Sequence, residues 1–144
     1  MESGQAAVAI APRPLVLVCD DIESIREVIR INLELEGFDV VQAADGHEAL
    51  SQLINPASRV PDVIVLDAHT PRRDGWWAIA AIRGHPRLAE VPTVLVTASI
   101  TAHDRSEAAL AGFDAFVAKP FDPIELVDVV SRLAADGRPP ALGQ

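Results

Sequence analysis

The chain has 144 residues and a mass of 15.4 kDa, room for one domain that buries roughly 68–70% of the surface its unfolded form exposes. Hydrophobic residues make up 49% and charged residues 23%, too apolar a balance for a disordered chain. The formal net charge of −9, with no run of Lys or Arg, repels a nucleic-acid backbone and argues against direct DNA binding.

Residues 1–13 read as a loosely held N-terminal tail, ahead of a domain expected over residues 14–134. The apolar stretch Ala6 to Ala11 lacks a basic leader and is far shorter than the roughly 20 residues a membrane span needs. A cytoplasmic protein without membrane insertion is therefore expected. The first strand, about residues 14–19, carries the run Leu15-Val16-Leu17-Val18 and takes Cys19 into the core. As the only cysteine, Cys19 excludes an internal disulfide and a thiolate metal cluster, and it suits a reducing compartment.

A helix over about 22–36 places Ile25, Val28, Ile29 and Leu33 on one buried stripe and stops at Gly37. The second strand, about 38–43, alternates in polarity and belongs near a sheet edge. The second helix opens on Asp45 with Glu48 at its third position, able to answer the cap. Strands follow at about 62–66 and 92–97, apolar enough for central strands, with Pro61 and Pro92 just ahead of them.

Between those strands, helical spacing turns Trp76 inward with Ile79 and Ile82, whereas Trp77 either covers its own helix or meets a partner. A fifth strand over about 114–118 leads to a helix that opens on Asp122-Pro123-Ile124-Glu125. The Pro/Gly-rich residues 135–144 read as a C-terminal tail. Five β-type runs alternating with five helical patterns predict an α/β fold, an open five-stranded parallel sheet that is doubly wound.

In such a sheet ligands bind outside the carboxyl ends of the strands, where Asp20, Asp21, Asp67, Thr97 and Lys119 all fall. Carboxylates gathered there need shared protons or a cation. Oxygen ligands without a His or Cys set suit Mg²⁺, with Mn²⁺ as a substitute, and Lys119 adds a positive charge for an incoming anion. His47, His69, His85 and His103 are dispersed without metal-ligand spacing and read as surface residues. Carboxylate, metal, ammonium and hydroxyl together describe phosphoryl transfer, and a carboxylate is the available nucleophile. Asp67 is favoured for that part because adjacent Asp20 and Asp21 are better placed to hold the metal.

Four segments, Val18-Cys19-Asp20-Asp21, Asp67 to Gly75, Thr97-Ala98 and Lys119-Pro120-Phe121, stand in the order and at the spacing of a known family. Over about residues 14–134 the chain resembles the receiver domain of two-component response regulators, of the kind found in chemotaxis regulators. The resemblance implies a (βα)5 flavodoxin-like three-layer sandwich, phosphorylation of Asp67, and Mg²⁺ ligation by Asp21, Asp67 and the backbone carbonyl of His69, with Asp20 acting through water. It further implies that Thr97 and Lys119 bond phosphoryl oxygens, that Thr97 and Phe116 form the switch pair, and that the Lys119-Pro120 bond is cis. Thr70 departs from the apolar residue usual before Pro71, with the loop more affected than the chemistry. His69 and Ser99 stand where the family tunes acyl-phosphate lifetime.

The function expected is a phosphoacceptor module rather than an enzyme acting on other molecules. The phosphoryl group would come from a sensor histidine kinase or a histidine phosphotransfer protein, with Ile22 at the mouth of the site as a contact. A phosphorylated state would remodel the face of the fourth helix, fifth strand and fifth helix for a downstream protein effector or for a homodimer. With no output domain after residue 144, that face would act on another protein or on a domain missing from this chain. The alternative is a receiver-fold interaction module that works without phosphorylation. An Asp-nucleophile phosphatase would want an acid where His69 stands, and Asp20-Asp21 would repel the phosphate of a flavin.

Overall fold

A computed structural model describes residues 12–98 and 101–139. Five strands, β1 (Leu15–Cys19), β2 (Asp39–Ala43), β3 (Val63–Asp67), β4 (Thr93–Thr97) and β5 (Ala115–Ala118), form one parallel sheet in the order β2-β1-β3-β4-β5. The alternating strand, β2, is at an edge as its sequence suggested, and the three apolar strands are central.

Helices α1 (Glu23–Leu35) and α5 (Pro123–Asp136) cover one face, and α2 (Gly46–Ile54), α3 (Gly75–Arg83) and α4 (Ala102–Ala111) cover the other. Period-two alternation sorts the two cores. Val16, Val18, Val63, Val65, Val94 and Val96 meet α1 and α5, whereas Leu17, Ile64, Leu66 and Leu95 meet the three other helices. Each such side chain, removed from water, contributes about 1.5–3 kcal/mol.

Local chemistry starts and stops the helices. Asp45 accepts from the Glu48 N–H, Asp74 from Trp77, and Asp122 from Ile124 with Pro123 in the first turn. Thr101 and Asp104 close a reciprocal capping box on α4, which ends at Gly112 with φ 113°. Glu48 reaches back to the N–H of Ala44, one residue ahead of the cap.

Along α1 the expected buried stripe is narrower than its sequence suggested. Ile29 and Leu33 are buried and Ile25 is half-buried, but Val28 is 43% exposed. Ile25, Ile29 and Leu33 follow a four-residue row toward the sheet, and Val28 instead joins Ile31 and Leu35 on an outer apolar row. Two residues placed in the expected tails are tied to the domain. Arg13 donates to the carbonyls of Glu34, Gly37 and Phe38, and Arg138 pairs with Asp114 at 2.9 Å. Residues 1–11 and 140–144, most of the N-terminal tail and half of the C-terminal one, lie outside the described residues, as does Ser99.

Candidate functional site

The carboxyl ends of β1, β3, β4 and β5 bring the sequence-predicted residues together. Asp20 follows β1, Asp67 ends β3, Thr97 ends β4, and Lys119 follows β5. Register accounts for the convergence, since Cys19 pairs with Leu66, Asp67 with Val96, and Thr97 with Ala118. Side-chain oxygens of Asp20, Asp21 and Asp67 all lie within 4.8 Å of one another. Asp67 is 5% exposed and Asp20 2%, whereas Asp21 is open to solvent.

Lys119 Nζ stands 3.1 Å from Asp20 Oδ2 and 3.1 Å from Asp67 Oδ2. The other Asp67 oxygen accepts the His69 N–H at 3.2 Å, and Asp20 Oδ1 accepts the Ile22 N–H at 2.9 Å. Burial holds the Asp67 carboxyl above its ordinary pKa and Asp20 adds to the rise, against the lowering by Lys119 and the His69 N–H. Burial also works against the Lys119 ammonium, yet its bonds to Asp67 and Asp20 outweigh that and raise its pKa. Three carboxylates against one ammonium leave the cluster short of positive charge, so its donor set fits a hard divalent cation.

The loop from Asp67 to α3 is built for close approach. A β-carbon on Gly75 would stand 2.6 Å from the Asp67 carbonyl oxygen, so the helix can begin this near β3 only without a side chain. Arg73 takes the left-handed region at φ 63°, and its carbonyl accepts from the Gly46 N–H at 2.7 Å and from Thr70 Oγ1 at 2.8 Å. Thr70, the residue that departs from the usual pattern, thus closes the loop on itself. The Lys119-Pro120 peptide is cis.

Beyond Thr97 a cavity of about 310 Å³ opens between α3, α4 and β5, lined by Trp76, Leu95, Arg105, Ala108 and Phe116. Phe116 is half-buried there, with the Arg105 guanidinium 5.1 Å from its ring centre. Trp76 packs edge-on against Phe113 at 5.5 Å, and Trp77, half-buried, lies under the Arg73 guanidinium at 5.1 Å. Cys19 is buried, and burial first, then the charges of Asp45, Asp67, Asp20 and Glu48, push its thiol up to about 12. His47, His69 and His103 are exposed and His85 is half-buried, its Nδ1 accepting the Arg87 N–H.

The sequence profile of the response regulator receiver domain matches residues 16–131. The chain belongs to this family. The receiver domain is 33% identical over 120 residues to the DNA-binding dual master transcriptional regulator RpaA of Synechocystis sp., covering 83% of this chain and 48% of that protein. It is 30% identical over 115 residues to Protein PilG of Pseudomonas aeruginosa, covering 80% of this chain and 83% of that one. Among solved structures, the Francisella response regulator 1452 receiver domain superposes with a TM-score of 0.77 at 34% identity, covering 85% of this chain and 97% of its own. The receiver domain thus spans about half the length of RpaA. Among its described residues no helix is long and apolar enough to cross a membrane.

Arg26, Arg105 and Arg83 were not singled out from sequence, although each touches or braces a part of this site. Arg26 reaches the Asp20 carbonyl and Gln42 on β2, Arg83 reaches Asp114 across the fold, and Arg105 lies over Phe116 on β5, contacts set by packing that no sequence motif announces.

Proposed function

We propose that the domain accepts a phosphoryl group on Asp67 from a phosphohistidine of a sensor histidine kinase or phosphotransfer protein. The observation that carries this is the buried Asp67 carboxylate, joined to Lys119 at 3.1 Å and within 4.8 Å of Asp20 and Asp21. An Asp67 oxygen forms the new O–P bond as the P–N bond of the phosphohistidine breaks, and the departing imidazole nitrogen takes up a proton. Asp20, Asp21, Asp67 and the His69 carbonyl would hold Mg²⁺, which offsets charge between the carboxylates and the phosphoryl oxygens. Lys119 is released from part of its pairing with Asp67 to meet a phosphoryl oxygen, and the Thr97 hydroxyl donates to another.

Water later hydrolyses the acyl phosphate, so the domain promotes its own loading and unloading and acts on no other substrate. Thr97 borders the same cavity as Phe116, which supports a switch in which a loaded Asp67 draws Thr97 inward and Phe116 follows into that space. Arg105, stacked on the ring, and the rest of the face of α4, β5 and α5 then change shape for a downstream protein or a second copy. The outer row of Val28 and Ile31, with exposed Ile22 near the acids, supports docking of the phosphohistidine partner on α1. A net charge of −9 supports a protein partner over direct contact with nucleic acid.

Incubation with acetyl phosphate and Mg²⁺, followed by intact mass measurement, tests the reading. Wild type gains one labile phosphoryl adduct and Asp67→Asn gains none. A wild type without an adduct sinks the proposal in favour of a phosphorylation-independent module, and an adduct that survives Asp67→Asn moves the acceptor elsewhere.

A further inference from the structure

We infer that Arg26 is a positioning residue for the acidic pair, orienting the Asp20-Asp21 peptide and through it the metal ligands; this rests on the reading of that cluster as a divalent-cation site. Arg26 lies on α1, half-buried, and contacts none of the three carboxylates in its bonds. Its Nη1 donates to the backbone carbonyl of Asp20 at 2.7 Å, a charge-assisted length, while its Nε donates to Gln42 Oε1 on β2 at 3.1 Å. Gln42 in turn donates to Glu27 at 3.0 Å, and Glu27 is paired with Arg30 at 2.8 Å. The guanidinium is therefore held in place from the strand side as it grips the turn.

That turn needs a grip. Ile22 occupies the cap position of α1 and offers no capping side chain, which leaves Asp20 Oδ1, accepting the Ile22 N–H, as the side-chain anchor of the segment between β1 and α1. Asp20 cannot spare its own side chain, since Oδ1 accepts from Ile22 and Oδ2 pairs with Lys119. What remains is its backbone: the N–H donates to Ala43 on one side, and the carbonyl is taken by Arg26 on the other.

The Asp20 carbonyl and the Asp21 N–H share one rigid peptide plane, so fixing that oxygen fixes the direction in which Asp21 leaves the turn. Asp20 is buried and Asp21 exposed; only Asp21 has freedom to swing away from the cluster. Arg26 removes that freedom. Lys at this position could satisfy one of the two acceptors but lacks the planar fork that reaches both.

The sign of the effect separates positioning from plain electrostatics. A cation near the site repels a second cation, so loss of the Arg26 charge alone would tighten divalent binding. Loss of orientation weakens it. Mn²⁺ titration followed by electron paramagnetic resonance reads this directly, with Asp21→Asn establishing that the signal comes from this cluster.

Arg26→Met keeps the aliphatic stem and removes the donors. It is expected to raise the Mn²⁺ dissociation constant about tenfold, the scale of losing a residue that orients a ligand, with Arg26→Lys falling between it and wild type. An unchanged or lower dissociation constant overturns the inference, as does a lower melting temperature of the metal-free protein with unaltered affinity. Should Arg26→Met fail to fold, Arg26→Lys carries the same comparison, weaker binding supporting the role and equal binding overturning it. If wild type binds Mn²⁺ more tightly than Arg26→Met but takes no phosphoryl group on Asp67, the positioning role stands and the proposed function falls. A wild type that binds no Mn²⁺ at this cluster removes both the metal site and the positioning role.

Discussion

Lys119 does at the residue scale what no other described side chain does, bridging two buried carboxylates with one ammonium. The Asp67 carboxyl has a raised folded-state pKa, so the folded chain holds that proton more readily than the unfolded one. Its contribution favours the fold at low pH and is lost as pH rises through the folded value. Lys119 also has a raised folded-state pKa, but as a cation its stabilisation is fully present below its unfolded value of about 10.4 and disappears only at more alkaline pH. At neutral pH the ammonium therefore offsets the cost of burying the Asp67 carboxylate. Lys119→Met is expected to cost roughly 2 kcal/mol there, below the usual range for a fully buried pair because the lysine is 22% exposed. The deficit shrinks as pH falls through the still higher Asp67 pKa. Urea unfolding across pH reads the deficit, and carboxyl NMR titration reads the shift; a deficit independent of pH would contradict this account.

At the scale of elements, the junction of β3 and α3 decides whether the site can exist. Gly75 lets the helix start against the Asp67 carbonyl, and Asp74 caps it by accepting from Trp77. At the other end of α3, Arg83 donates to Gly112, Val91 and Ala89 carbonyls and pairs with Asp114 at 2.9 Å, pegging α3 to the end of α4 and the start of β4. The two ends of the helix differ in tolerance. Gly75→Ala forces backbone apart and is expected to cost about 1–3 kcal/mol and abolish the acetyl phosphate adduct. Gly84→Ala meets nothing closer than 3.4 Å and should change stability by less than about 1 kcal/mol while leaving the adduct intact. Thermal melting and mass measurement on the pair distinguish a local clash beside Asp67 from a general weakness of α3.

Across the whole molecule, the sheet separates two cores that share strands but not side chains. Leu33 packs with the valine face and Ile82 with the leucine and isoleucine face, both 0% exposed. Leu33→Ala and Ile82→Ala should each cost about 2–5 kcal/mol, and their effects should add to within about 0.5 kcal/mol in urea unfolding because the side chains share no partner. A large coupling would mean that the sheet transmits strain between its faces. The switch proposed from Asp67 to β5 would instead run within one face, through Thr97, Phe116 and Arg105 around a cavity.

The amino-acid sequence by itself determined the strand-helix alternation, the central place of the three apolar strands and the gathering of Asp20, Asp21, Asp67, Thr97 and Lys119 at one sheet edge. Period-two and four-residue patterns are local, and a parallel sheet leaves its strand ends nowhere else to meet. Only the tertiary structure decided that Val28 faces outward and that Arg26 holds the Asp20 carbonyl. It alone showed Arg105 on Phe116, and Arg13 and Arg138 binding back to the domain from segments read as tails. Long, flexible arginine side chains choose their acceptors in space, and the carbonyls they take belong to turns whose positions exist only after the helices have packed.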